Sequence, residues 1–181
     1  MNSVNNLIYL LEKKIESANI STKELVDTIY SADRVFIAGV GRSGLVGKLF
    51  AMRLMHIGKE VYIVGEVNTP RIERGDLLIA ITGSGSTSTI IHNAKIAKSA
   101  GANVLVLTAK SGSMVERYSD KLLIFNMKSK YETKKLDESI FPLGSAFELS
   151  ALLTLETSIA NLIEKIGINE KFLMERHTNL E

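Results

Sequence analysis

Two segments carry the residue types best suited to hold an anion: 39-GVGRSG-44 and 82-TGSGST-87. In the second, the hydroxyls of Thr82, Ser84, Ser86 and Thr87 surround Gly83 and Gly85. Glycines there let the backbone approach a ligand, and a helix opening after them presents free N–H groups and the positive end of its dipole. That combination suits a phosphate monoester. No Lys follows the glycines, so this is not a nucleotide P-loop. The first segment supplies Gly41, Arg42 and Ser43. Arg42 fits an anion, and equally fits a surface ion pair. The segment also matches G-x-G-x-x-G, which opens a second reading as a dinucleotide site with Glu66 at the distance of a ribose contact. That reading gives the hydroxyl-rich segment no role, and the chain leaves no room for a separate substrate domain.

A candidate base lies further along. Glu148 begins the stripe Glu148, Leu152, Leu155, Ile159, Leu162, Ile166, which falls on one face of a helix. The other members are apolar, so the face is expected to be buried. A carboxylate at its end should be partly desolvated and its pKa raised toward the range useful to a base. Ser145-x-x-Glu148 is also a capping box, and spacing alone leaves both roles open. His177 sits in the terminal stretch ERHTNLE, where chains commonly fray. His56 follows an amphipathic stretch and is expected to pack or cap its end, while His92, beside Asn93 and Lys95, reads as solvated.

These residues need a scaffold. Leu7, Leu10, Leu11, Ile15 and Ala18 recur at helical spacing, and Ser21-x-x-Glu24 reads as the capping box of a second helix. Apolar strand-length runs follow at 34–38, 61–65, 77–81, 103–107 and 121–125. Helices are expected at 43–56, 88–99, 145–166 and 169–176, with a short one before the fifth strand and a polar loop at 126–142. Alternating strands and helices predict an α/β fold, a parallel sheet with helices on both faces. With five strands in the order 2-1-3-4-5, the winding reverses between strands 1 and 3. Those are the strands that the two glycine segments follow.

Composition narrows the function further. The chain has 181 residues, 45% hydrophobic and 23% charged, which fits one globular domain with a sizeable core. A net charge of +2 and scattered basic residues give no footprint for nucleic acid. With no cysteine, thiolate metal sites and cysteine nucleophiles are excluded, and the three histidines are too far apart for a zinc motif. The start has no signal-peptide pattern and the apolar runs are of strand length, so the expectation is a cytoplasmic protein without a membrane span.

Five stretches together resemble the sugar isomerase (SIS) domain family: GVGRSGLVGKLFAMRLMHIG (39–58), VGEVNTP (64–70), ITGSGSTSTI (81–90), PLGSAFE (142–148) and RHTNLE (176–181). FAMRLMH and the terminal RH-x-NL are the most specific. The resemblance implies one SIS domain over residues 1–181, with N-terminal helices ahead of a five-stranded parallel sheet in a three-layer α-β-α sandwich. It implies an isomerase that interconverts D-arabino-3-hexulose 6-phosphate and D-fructose 6-phosphate through an enediol, after formaldehyde fixation in the ribulose monophosphate route. No cofactor or metal is implied, and the assembly that the resemblance implies is a homotetramer. Ser43, Thr82, Gly83, Ser84, Gly85 and Thr87 would take the phosphate, with Ser86 at a variable position. Glu148 would be the base, and His177 would enter a neighbouring subunit's site. Many relatives have Ser where this chain has Thr82, and the hydroxyl is kept. A non-catalytic SIS module that senses sugar phosphates is the alternative.

Overall fold

Five short apolar runs become five parallel strands, because each is flanked by a helix or turn that returns the chain to the same edge of the sheet. The computed structural model describes residues 3–127 and 140–180. Its elements run α1 (Val4–Ala18), α2 (Thr22–Ser31), β1 (Val35–Gly39), α3 (Arg42–His56), β2 (Val61–Ile63), β3 (Leu77–Ile81), α4 (Ser88–Ser99), β4 (Asn103–Thr108), a 3-10 helix (Met114–Tyr118), β5 (Lys121–Ile124), a 3-10 turn (Pro142–Gly144), α5 (Ala146–Ile166) and α6 (Glu170–Met174). The strand order is β2-β1-β3-β4-β5, the order assumed in placing the switch point between β1 and β3.

Alternation along the strands divides the core. Val35, Ile37, Leu77, Ile79, Ile81, Leu105 and Leu107 face α1, α2, α3 and α5. Phe36, Ala38, Leu78, Ala80, Val104 and Val106 face the opposite layer, built on α4 and the first 3-10 helix. At the N-terminal edge of the sheet, buried Asp76 takes two hydrogen bonds from Arg34, at 2.9 and 2.7 Å, and ties β1 to β3. β1 pairs with β3 in register from Val35↔Leu77 to Gly39↔Ile81. The two glycine segments therefore leave the sheet side by side.

Several local expectations differ from the structure. Neither Ser21 nor Ser145 makes a side-chain capping bond. Ser145 is already helical (φ −59°, ψ −11°), because the turn at Pro142–Gly144 runs straight into α5 and leaves no extended N-cap. The second strand stops at Ile63, since the chain turns away at Gly65 (φ +101°). The short helix before β5 is 3-10, with Ser113 N and Oγ both donating to Glu116 Oε1. Most of the polar loop expected at 126–142 lies outside the described residues. Apolar runs also exceed strand length: the segment Pro142–Ile166 is long and apolar enough to cross a bilayer, at a mean hydropathy of 1.3. Here it lies against α1, α2 and α3, with Leu155, Ile159 and Leu162 buried.

Candidate active site

The first glycine segment is shaped by close packing. A Cβ on Gly39 would sit 2.9 Å from Gly44 N and Cα, and one on Gly44 would sit 2.8 Å from Gly39 O. Only glycines allow the N-terminus of α3 to lie this close over the end of β1. Gly41 differs, with φ +60° and nothing near its missing Cβ, so it faces open space. It is the N-cap of α3, whose first turn carries no acidic residue. Ser43 follows, with its side chain largely buried.

The second segment is clasped from two sides. Val115 N donates to Gly85 O at 3.0 Å, and Ala109 N to Gly83 O at 3.1 Å. Gly85 has φ +61°, and a Cβ there would lie 2.2 Å from Ser113 Cβ. A Cβ on Gly83 would meet Phe147 Cδ1 at 3.0 Å. Both glycines thus serve the loop's own packing as well as any ligand. Thr82 Oγ1 and Thr87 Oγ1 approach to 3.4 Å, and Ser86 N donates to Ser84 Oγ at 3.3 Å. Thr87 is the N-cap of α4, whose first turn also lacks an acidic residue. Two helix N-termini without their own counter-charge, ringed by hydroxyls, form a cradle for an anion.

A cleft of about 530 Å³ joins these parts. Gly41, Arg42 and Ser43 line it from one loop, and Thr82, Gly83, Ser84, Ser86 and Thr87 from the other. Glu148 completes it from the first turn of α5. Its side chain is 17% exposed, and Arg42 Nε lies 4.0 Å from its Oε2. Phe147, the preceding residue, packs on Gly83 and meets Phe125 edge-to-face at 5.5 Å. The helix carrying the carboxylate is thereby locked to the hydroxyl loop. Gly85 is absent from the wall, because it is buried against Ser113. Sequence reasoning passed over Val40, Leu143 and Phe147, which also line the cleft; the adjacency of Val40 to Gly41 and of Phe147 to Glu148 was the available signal for those two.

The remaining candidates lie elsewhere. Glu66 accepts a hydrogen bond from Lys48 at 2.8 Å. His92 is exposed on α4 and lines a separate, apolar groove of about 570 Å³ between α4 and residues 64–72. His177 does not reach its own chain's cleft. Its ring stacks on His56 at 5.3 Å, at the C-terminal end of α3. Arg42 and Ser43 are at the other end of this 15-residue helix, roughly 20 Å away at about 1.5 Å per residue.

The buried His56 is held below the ordinary imidazole pKa, first by desolvation and then by the charges of His177 and Arg53. A depressed folded pKa gives stability that is full above the unfolded value of about 6.5 and is lost as pH falls below it. Thermal midpoints measured from pH 7.5 down to 5 should therefore fall less steeply for His56→Gln than for the wild type. Parallel slopes would remove His56 from the acid response.

Residues 28–149 match the family model described as SIS domain. The chain belongs to the SIS domain family. The match covers both loops of the SIS cleft and ends just past Glu148. The SIS chain is 38% identical to the 3-hexulose-6-phosphate isomerase of Methanocaldococcus jannaschii, over 98% of this chain and 94% of that one. It is 40% identical to the 3-hexulose-6-phosphate isomerase of Bacillus subtilis, over 91% and 89%. A crystal structure from Methanococcus jannaschii, described as inferring a 3-hexulose-6-phosphate isomerase function, superposes at a TM-score of 0.79 and 36% identity, over 98% of this chain and 97% of that one.

Proposed function

We propose that this chain is a cytoplasmic, homotetrameric isomerase interconverting D-arabino-3-hexulose 6-phosphate and D-fructose 6-phosphate. The observation that carries the reading is a largely buried carboxylate, Glu148, sharing one cleft with two hydroxyl-bearing helix N-termini. Near-full-length similarity to proteins named for this activity supports it.

The phosphate rests on Ser43, Ser84, Thr87 and the N-termini of α3 and α4. Held there, it fixes the reacting carbons beside Glu148, so that remote binding energy lowers the barrier at the carbons. Glu148 takes the proton from C2 of the 3-hexulose, a C2=C3 enediol forms, and the same carboxyl returns the proton to C3. A proton moves from O2 to O3 in the same interval. His177, delivered by a neighbouring subunit, carries that transfer. Atoms and electrons balance within the sugar, so no co-reactant enters.

A coupled assay tests the reading: supply the 3-hexulose phosphate and measure fructose 6-phosphate formed, with other phosphosugars as controls. Turnover of the hexulose phosphate above all controls is the expected result. A protein that binds fructose 6-phosphate without turnover would instead be a sensing module. Ser84→Ala with Thr87→Ala should raise KM by about tenfold or more, as two hydrogen bonds to a charged group are lost. An unchanged KM would remove the phosphate from the second loop.

A further inference from the structure

Leu143 has a backbone conformation that its residue type disfavours. Its φ of 55° and ψ of 28° are left-handed, and Gly144 follows at φ 76°. Glycine takes this region freely, whereas a Cβ crowds the following carbonyl. Among the described residues the other non-glycine cases are Asn19 and Asn126, of the type that tolerates it. Leu143 has no compensating burial, since it is 75% exposed. One residue therefore bears both a strained backbone and an aliphatic side chain in water.

The surroundings hold it there. Gly144 N bonds to Phe141 O, and Ser145 N to Pro142 O, each at 3.2 Å. Phe141 on one side and Ala146 and Phe147 on the other are buried. The turn is anchored at both ends, and Leu143 lies between the anchors. Its side chain lines the same cleft as Glu148. Val40, in the first glycine segment, is 57% exposed and lines the cleft too. These are the two exposed aliphatic residues of the wall, since Ile81, Ala109 and Phe147, which also line it, are buried, and the other lining residues are mostly Ser, Thr and Gly. Strained backbone that persists at a site's rim points toward a functional constraint.

We propose that Leu143 is a specificity-determining residue: its strained turn holds the isobutyl group over the cleft, where it packs on the carbon chain of the bound sugar phosphate and keeps bulk water from the carbons beside Glu148. The proposal rests on the isomerase reading. It makes Leu143 a gauge of chain length, because a shorter sugar phosphate anchored at the hydroxyl loop would leave the side chain without a partner.

Leu143→Ala removes the side chain and keeps the strain, while Leu143→Gly removes both. The expected result is a fall of about tenfold in kcat/KM for the hexulose phosphate in both variants, from the lost apolar contact. The preference for hexulose phosphate over a pentulose 5-phosphate should shrink by a similar factor. The thermal midpoint of the Gly variant should exceed that of the Ala variant by about 2–4 °C, as left-handed strain is relieved. A purely structural residue would move the midpoints and leave the selectivity ratio unchanged, and that outcome overturns the proposal. If the wild type turns over no hexulose phosphate, the isomerase reading fails. The affinity of the variants for fructose 6-phosphate, read by thermal shift, then decides the side chain's role: a loss supports it, and wild-type affinity overturns it.

Discussion

Glu148→Gln is expected to lower kcat by about 10²–10⁴-fold and to leave the affinity for fructose 6-phosphate within about threefold. The substitution keeps the side chain's length and volume, so the packing around a group that is 17% exposed is preserved. It also leaves the phosphate cradle intact, because the cradle is made by the two loops and the N-termini of α3 and α4. What disappears is the capacity to accept a carbon-bound proton. Glu148→Asp gives a graded companion. It withdraws the carboxylate by about one bond, and a displacement near 1 Å can cost about 10²-fold. Single-turnover rates with titrated ligand binding separate the two effects. Near-normal turnover in the Gln variant would move the base elsewhere in the cleft.

The second large effect concerns the fold of the hydroxyl loop. Gly85→Ala should destabilise the protein by roughly 2–5 kcal/mol, from about 1–2 for the left-handed backbone and about 1–3 for overpacking. The added methyl would lie 2.2 Å from Ser113 Cβ, an atom with no freedom to swing aside. Val115 N and Gly85 O would have to part for the loop to yield, so the hydroxyls of Ser84 and Thr87 would shift with it. Sugar phosphate affinity should fall in the same variant. Adding Ser113→Gly should recover the steric share and leave the backbone share, an interaction that a double-mutant cycle measures. Denaturant midpoints for Gly85→Ala within about 0.5 kcal/mol of the wild type would show that the clasp by Ser113 is loose.

The strands and both loops were legible because short continuous apolar runs suit strands buried on both faces, and a glycine segment follows two of them. The sheet order was assumed rather than read, and the structure bears it out, with both glycine segments at the switch point. Glu148 was legible only in part, because Ser145-x-x-Glu148 satisfies a capping rule as well as a catalytic one. The helical backbone of Ser145, which spacing does not report, leaves that serine without a side-chain cap bond. The glycines showed the same limit. Gly39 and Gly44 bound a segment read as anion-holding and serve packing, since their closeness arises between a strand end and a helix start. Likewise Phe147 on Gly83, and His177 on His56, join segments far apart in the chain, and no local pattern announces such pairs. Leu143 was invisible for another reason: its type argues against the conformation it adopts.

The two outermost strands are also the shortest, three residues in β2 and four in β5. β2 ends where Gly65 turns the chain away from the sheet, and the connection to β3 contains no helix. An edge this brief exposes few unpaired amide and carbonyl groups, so a strand from another chain finds little to hydrogen-bond along. The longer strands β3 and β4, apolar throughout in β3 and from Val104 to Leu107 in β4, would template aggregation most readily and are enclosed between neighbours. The hydroxyl loop hangs from one of them. The arrangement that anchors the site on the least accessible backbone also withholds that backbone from fibrous self-association.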